Sequence, residues 1–266
     1  MPRGRVYKLK AYEVPEGSRT SKGLNIVNLL PLEGEEKITA MIRVPEFEEG
    51  KYLCMATRRG VIKRTALSAY NTTRKGGIIA IVLDEGDELR WVEMTDGNAT
   101  LLTATKKGMA ICFKESDARP LGRTARGVKA ITLREGDEVA GMTVLREGAS
   151  VLTVTETGYG RRSLPEDYRI QNRGGQGLTN YRTKLYGDVA GVQVVDDEDD
   201  LILITSDGVV IRMAVEEIST FSRPAKGVRV MRVNDGEKIV TLARTEKAEE
   251  ACEEEESDSP DAQTES

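Results

Sequence analysis

The sequence contains no histidine. That absence excludes Ser-His-Asp and Cys-His nucleophilic catalysis, His-based zinc sites and ordinary imidazole acid–base chemistry. Its three cysteines, Cys54, Cys112 and Cys252, are isolated and odd in number. They form no C-x-x-C pair, so neither a disulfide framework nor a zinc site is expected. Cys54 and Cys112 fall in apolar strand-like runs and read as buried thiols. Long apolar runs are missing as well: nothing approaches the roughly 20 residues of a transmembrane span. The first residues, Met1-Pro2-Arg3-Gly4-Arg5-Val6-Tyr7, lack the apolar core of a signal peptide. A cytoplasmic chain with no membrane partner is expected, and any enzyme reading starts at a disadvantage.

What is present is segregated charge. A chain of 266 residues, 39% hydrophobic and 31% charged, fits one large all-β domain or two average ones. Its sequence pI of 5.2 hides an asymmetry. From Thr245 to Ser266 ten acidic residues face one lysine, a net of −9, and because the whole chain carries −5, residues 1–244 carry +4. A basic body with an acidic tail points to a polyanionic partner. The tail has no strand pattern and is expected to be disordered, either as a solvated terminus or as a competitor for the basic body.

Three short patterns recur together about every fifty residues, the period of propeller-like and solenoid arrays. The first is a hairpin. Leu53-Cys54-Met55-Ala56-Thr57, Leu101-Leu102-Thr103-Ala104-Thr105, Val151-Leu152-Thr153-Val154-Thr155 and Leu201-Ile202-Leu203-Ile204-Thr205 read as strands. Each ends in Thr and is followed, after two residues, by Gly60, Gly108, Gly158 or Gly208, which lets the chain reverse. Gly4 holds the same place without a preceding strand. Lys8, Arg64, Arg162 and Arg212 stand at the fourth position after the glycine, with Cys112 as the exception, and are expected to form one charged face.

The second pattern is a basic loop. Arg19-Thr20-Ser21-Lys22-Gly23, Arg123-Thr124-Ala125-Arg126-Gly127 and Arg223-Pro224-Ala225-Lys226-Gly227 share Arg-x-x-basic-Gly, and Thr72-Thr73-Arg74-Lys75-Gly76 is a variant. The fifth copy, within Gln171-Asn172-Arg173-Gly174-Gly175-Gln176-Gly177, carries extra glycine. Glycine permits positive φ and close backbone approach, and arginine offers a planar fork of donors suited to phosphate oxygens. Such a loop receives an anion, or it is a tight connection whose arginine pairs with a nearby carboxylate. Each loop leads into an apolar strand of period two in which Lys129, Arg229 and Arg232 face outward.

The third pattern is an acidic turn, Glu33-Gly34-Glu35, Glu85-Gly86-Asp87, Glu135-Gly136-Asp137, Tyr186-Gly187-Asp188 and Asp235-Gly236-Glu237. Five copies of a solvated turn explain these carboxylates better than catalytic pairs do. Each repeat thus holds about four short strands and no long helix, one blade per fifty residues. Tyr70 and Tyr168, at matching positions, are expected to fill the core.

These residues resemble a family, the C-terminal DNA-wrapping domain of the bacterial DNA gyrase A protein, with the topoisomerase IV counterpart as a relative. The resemblance runs from residue 3 to about 244. It is carried by Arg3-Gly4-Arg5-Val6-Tyr7, Gly23-Leu24-Asn25-Ile26-Val27-Asn28-Leu29-Leu30, Gly158-Tyr159-Gly160-Arg161-Arg162 and the repeated patterns. The family's hallmark heptad, the gyrase A box, reads Q-R-R-G-G-K-G. Gln171, Arg173, Gly174, Gly175 and Gly177 match it, while Asn172 and Gln176 replace basic residues. The box normally lies in the first blade, whereas here the only box-like sequence stands in the fourth repeat. With no strand before Gly4, the expectation is a chain that begins inside its first blade and lacks the usual box.

The resemblance implies an all-β fold, a β-pinwheel of about five four-stranded repeats spanning residues 1–244, followed by an acidic tail over 245–266. Whether five blades close the ring or a sixth is incomplete stays open. It implies non-sequence-specific wrapping of duplex DNA around a basic rim, as the non-catalytic part of an ATP-dependent type II topoisomerase. The partners would be duplex DNA, the breakage-reunion domain of gyrase A, and the ATPase protein gyrase B. This chain would hold no cofactor, ATP and Mg being used elsewhere in the holoenzyme. The residues expected to hold DNA are Lys8, Arg19, Lys22, Arg64, Arg74, Lys75, Arg123, Arg126, Arg162, Arg173, Arg212, Arg223 and Lys226, with Gly174, Gly175 and Gly177 letting the backbone approach. A protein-interaction propeller and a topoisomerase IV C-terminal domain are the alternatives.

Overall fold

The repeated Thr-x-x-Gly sequence sets the local geometry. The glycine amide donates to the threonine carbonyl, 3.1 Å for Gly60 to Thr57 and 3.0 Å for Gly108 to Thr105. The threonine hydroxyl then accepts from the residue after the glycine, 3.2 Å from the Val61 amide and 3.1 Å from that of Tyr159. Gly60, Gly108, Gly158 and Gly208 all sit at φ between 81° and 86°, which only glycine adopts without strain. Both hairpin strands are therefore fixed by four residues.

A computed structural model describes residues 3–18, 21–32, 36–74, 76–223 and 225–247. The first repeat supplies β1 (Arg5–Val6) and two short 3-10 turns. The second supplies β2 (Tyr52–Thr57), β3 (Val61–Ala66), β4 (Ile78–Ile79) and β5 (Leu89–Thr95). The third supplies β6 (Thr100–Thr105), β7 (Met109–Lys114), β8 (Val128–Lys129) and β9 (Val139–Leu145). The fourth supplies β10 (Ser150–Thr155), β11 (Tyr159–Ser163), β12 (Leu178–Thr179) and β13 (Val189–Val195). The fifth supplies β14 (Asp199–Thr205), β15 (Val210–Ala214), β16 (Val228–Arg229) and β17 (Ile239–Glu246). The last strand runs two residues past the 244 boundary set from sequence. The predicted tail beyond 247, and the acidic turn at residues 33–35, lie outside the described residues.

No repeat finishes its own blade. The sheet orders are β5-β2-β3-β8, β9-β6-β7-β12 and β13-β10-β11-β16, so the short strand after each basic loop adds antiparallel to the outer edge of the preceding blade. The second repeat likewise lays β4 on β1. Among the described residues the fifth blade, β17-β14-β15, has three strands. Neighbouring inner strands β5, β9, β13 and β17 contact one another in turn around the axis. The exchanged strands are therefore the outermost layer of the disc.

The core lies between blades. Cys54, Ala56 and Ile62 of the second blade pack with Leu101, Ile111 and Phe113 of the third, and an equivalent cluster joins each later pair. Burying a side chain of this size stabilises by roughly 1.5–3 kcal/mol. Tyr70 and Tyr168 are core residues as expected. Cys54 and Cys112 are buried free thiols, and burial pushes the Cys54 thiol up to about 12 and that of Cys112 to about 11.

The acidic turns depart from expectation. Asp87 and Asp137 are buried. Their Oδ1 atoms accept from the Arg59 and Lys107 amides of the hairpin turn, each at 2.9 Å. These carboxylates tie the inner strand to the hairpin and are not merely solvated.

Candidate nucleic-acid interface

The strand cations turn inward. Arg64, on β3, is 7% exposed. It pairs with the fully buried Glu115 at 3.6 Å and stacks over the Tyr52 ring at 4.7 Å. Arg162, on β11, is equally enclosed, with its guanidinium on the Ile218 carbonyl and the Asp197 carboxylate. Neither guanidinium is presented at the surface. The expectation of one outward charged face fails because β3 and β11 are covered on one edge by an exchanged strand and on both faces by neighbouring blades. Arg212, on the uncovered β15, stays exposed but pairs with Asp200 at 2.7 Å. Lys8 bonds Asn71 at 3.0 Å and lies over the Phe47 ring.

One residue earlier stand two further cations that the sequence pattern did not single out. Lys63 is fully buried, its ammonium donating to the Ala80 carbonyl at 2.6 Å and to that of Arg123. Burial, with the Arg123 charge second, lowers its pKa to about 8. Arg161 takes the same place in the fourth repeat, donating to the carbonyls of Ala225 at 3.1 Å and Asn180. The signal was available: adjacent basic residues on a strand point to opposite faces, so one of each pair had to point inward.

Two loop arginines act as clamps. Arg173 donates through Nε to the Asp117 carbonyl at 2.9 Å and through Nη1 to that of Lys129 at 3.0 Å. Arg223 repeats this on Asp167 at 2.8 Å and Thr179 at 2.6 Å. Each fork grips the blade before its own, in place of the phosphate or carboxylate expected from sequence. The box-like loop serves the same junction. Gly174 donates to the Ala130 carbonyl at 2.6 Å, Gly175 accepts from Thr132 at 2.8 Å, and Gln171 donates to Cys112 at 2.8 Å. A Cβ on Gly177 would overlap the Ala110 carbonyl, so that glycine admits the neighbouring blade and not a ligand. Asn172 and Gln176 are exposed.

What remains outside is one basic residue in four of the five loops. Lys22, Arg126 and Lys226, next to the loop glycine, and Arg74, two residues before it, are exposed, while Gln176 takes the place in the fourth repeat. Arg126 makes an exposed pair with Asp84 at 2.7 Å, of the weak surface kind. Arg123 is half-buried. Arg19 and Lys75 lie outside the described residues. Lys129 and Arg229, on the outermost strands, are exposed as the alternation predicts, and Arg119 and Arg169, at matching positions not singled out from sequence, join them.

The fourth blade adds an aromatic patch. The Lys226 ammonium sits 4.2 Å from the Tyr159 ring centroid and 5.6 Å from that of Tyr186. Arg229 donates to the Tyr159 hydroxyl at 2.7 Å. Hydrogen bonds from Arg229 and Lys226 hold the Tyr159 phenol below its ordinary pKa.

Among the described residues no helix is long and apolar enough to cross a membrane, and no cluster of three potential metal ligands occurs. Comparison with known proteins places this geometry. The DNA gyrase A protein of Clostridium acetobutylicum is 51% identical over 126 residues, 47% of this chain and 15% of that protein. The one from Synechocystis is 48% identical over 128 residues, again 47% and 15%. The chain thus matches a small part of the curated relatives' length. Among solved structures, a C-terminal domain of DNA topoisomerase IV superposes with a TM-score of 0.85 at 25% identity, covering 92% of this chain and 77% of that one. A DNA gyrase A C-terminal domain gives 0.78 at 26%, covering 91% and 80%. The family model described as DNA gyrase C-terminal domain, beta-propeller matches residues 3–45, 51–96, 99–146, 149–196 and 199–246, one span per repeat, and the chain belongs to that family.

Proposed function

We propose that this chain binds duplex DNA without sequence preference and bends it along the outer strands, as the non-catalytic wrapping part of a DNA gyrase A protein. The observation that carries this reading is the placement of exposed cations on the outermost layer in the first, second, third and fifth repeats: Lys22, Arg74, Arg126 and Lys226 on the loops, Lys129 and Arg229 on the exchanged strands. Bending a duplex by 40–90° over 20–30 base pairs costs of the order of 1–6 kcal/mol, so contacts must be spread along the path. Repetition spreads them. The partners on this reading are the breakage-reunion domain of gyrase A and the gyrase B protein, which would supply cleavage, ATP and Mg, in a cytoplasmic complex on the nucleoid. The DNA-binding body runs through β17, and the acidic tail is either a solvated terminus or a competitor with DNA for the rim.

The test is binding of the whole chain to duplexes of increasing length. Affinity is expected to rise until the duplex spans the rim, and to fall with salt at roughly −0.9 per phosphate contacted on a double-logarithmic plot. Length-independent binding would favour the protein-interaction alternative. The sign of DNA writhe trapped on ligation separates a gyrase role from a topoisomerase IV role.

A further inference from the structure

The basic loop of each later repeat lies beside the glycine turn of the repeat before it. The Val82 amide donates to the Ala125 carbonyl at 3.1 Å, and the Thr132 amide to that of Gly175 at 2.8 Å. At the fifth loop the Tyr181 hydroxyl donates to the Lys226 carbonyl. The turn therefore sets what the loop cation faces. It reads Asp84-Glu85-Gly86-Asp87 in the second repeat and Arg134-Glu135-Gly136-Asp137 in the third. In the fourth it is Lys184-Leu185-Tyr186-Gly187-Asp188, one residue longer and wound as a helical turn, α1 (Thr183–Tyr186). Lys184, Leu185 and Tyr186 thus stand where the second repeat has Asp84 and Glu85.

Three junctions differ in consequence. Where the third loop meets the second turn, Arg126 pairs with Asp84 at 2.7 Å. The fourth loop brings the uncharged Gln176 to the third turn. The fifth loop brings Lys226 to rings, its ammonium standing over Tyr159 and Tyr186. Arg229 joins it on the Tyr159 ring, with its Cζ 5.2 Å from the centroid. Among the described residues no carboxylate pairs with Lys226 or Arg229, and Arg182 and Lys184, flanking Tyr186, are exposed.

A carboxylate cancels the charge of a cation, whereas an aromatic face attracts the cation and leaves its charge in place. Arg229 gives one amino group to the Tyr159 hydroxyl and keeps its other donors. The rings also fix the lysine in advance. Tyr186 lies 6.3 Å from Tyr159 and edge-on to Tyr181 at 6.1 Å, centroid to centroid, and Tyr181 holds the Lys226 backbone. A side chain already positioned loses less freedom when it binds.

We propose that the junction of the fourth and fifth repeats anchors the bound duplex: Lys226 and Arg229 hold backbone phosphates more tightly than Arg126 does, and the aromatic turn ending in Tyr186 sets that difference. The proposal rests on the DNA-binding reading above. It ranks the junctions, with Lys226 strongest, Arg126 weaker because it must leave Asp84 to take a phosphate, and Gln176 weakest. A duplex seats first at the fourth-fifth junction, and wrapping extends from there.

The first test is binding of the full chain to a mixed-sequence duplex long enough to span the rim. At about 0.15 M salt one phosphate contact accounts for about fivefold in affinity, the loss expected for K226A. R126A is expected to lose only about twofold, since its contact is made at the expense of an exposed ion pair. D84N should strengthen binding by about the same twofold and raise the cost of R126A to that of K226A. Equal costs for K226A and R126A with Asp84 in place, or no gain from D84N, overturn the proposal.

The second test locates the seat. A photo-crosslinker on S222C is compared with one on G122C, matching exposed positions of the fifth and third loops. Each is combined with C252S, leaving only the buried Cys54 and Cys112. A duplex of about 10 base pairs, one helical turn, is expected to attach at position 222 at least about twofold more than at position 122. Equal attachment, or a preference for position 122, overturns the proposal. A wild-type chain that bound no duplex would sink the DNA reading and the proposal with it, whereas binding shared evenly among the junctions sinks the proposal alone.

Discussion

Blades two and four place Lys63-Arg64 and Arg161-Arg162 where blade three places Ile111-Cys112, on the same strand, at the same distance from the hairpin glycine. All six side chains are buried. Blade three completes its junction with apolar contacts, while its neighbours use charges bonded to oxygens of their own and the following repeat. The fold therefore does not require a cation there, and the cations that stand there are held inside the protein. Taking charge out of water is costly, and a well-packed apolar substitute is often as stable, so the buried cations fit a role in fixing which repeat follows which.

The largest effect that would break this comparison is at Glu115, the buried partner of Arg64. E115A leaves a guanidinium enclosed without a counter-charge and is expected to cost about 3–5 kcal/mol in urea unfolding. Replacing both members, R64M with E115L, imports the chemistry of blade three. It is expected to recover most of that loss; a double variant as unstable as the single would show that the blades are not interchangeable.

A smaller effect sharpens it through pH. Lys63 has a pKa of about 8 when folded against 10.5 as its ordinary value. Between these values the unfolded chain holds a proton that the folded chain releases, so stability rises with pH across that window and is flat below it. K63M is expected to abolish this rise, read as the difference between the two proteins' unfolding midpoints from pH 7.5 to 10.5. An identical pH dependence would mean that the ammonium is not held as described.

The smallest stability effect is expected on the outside. R126A and K226A should change unfolding free energy by no more than about 0.5 kcal/mol. Each should weaken DNA binding and lower the salt slope by roughly 0.9. A variant that unfolds the domain, or leaves the slope untouched, would erase the distinction between inner and outer cations.

Much of the fold was legible because it is local. Thr-x-x-Gly closes its own hairpin through bonds within four residues, and its recurrence gives the blade count. The destination of each charge was not legible. Period two says that Lys63 and Arg64 face opposite ways, but only the exchanged strand and the adjoining blades make both ways lead inside. Arg173 and Arg223 read equally well as anion ligands or as clamps, since the same fork serves phosphate and carbonyl. Asp87 read as a solvated turn because its acceptor role depends on the Arg59 amide, 28 residues earlier in sequence.

A chain in which each module is finished by its successor has a polarity, and shortening it has unequal consequences. Removing the fifth module would strip β16 from β11 and lay Arg161 and Arg162 open to water, a tolerable new end. Removing the fourth as well would bare Leu102, Ala110 and Cys112 along an unpaired margin, an adhesive one. Trimming in steps should therefore alternate between soluble and self-associating lengths.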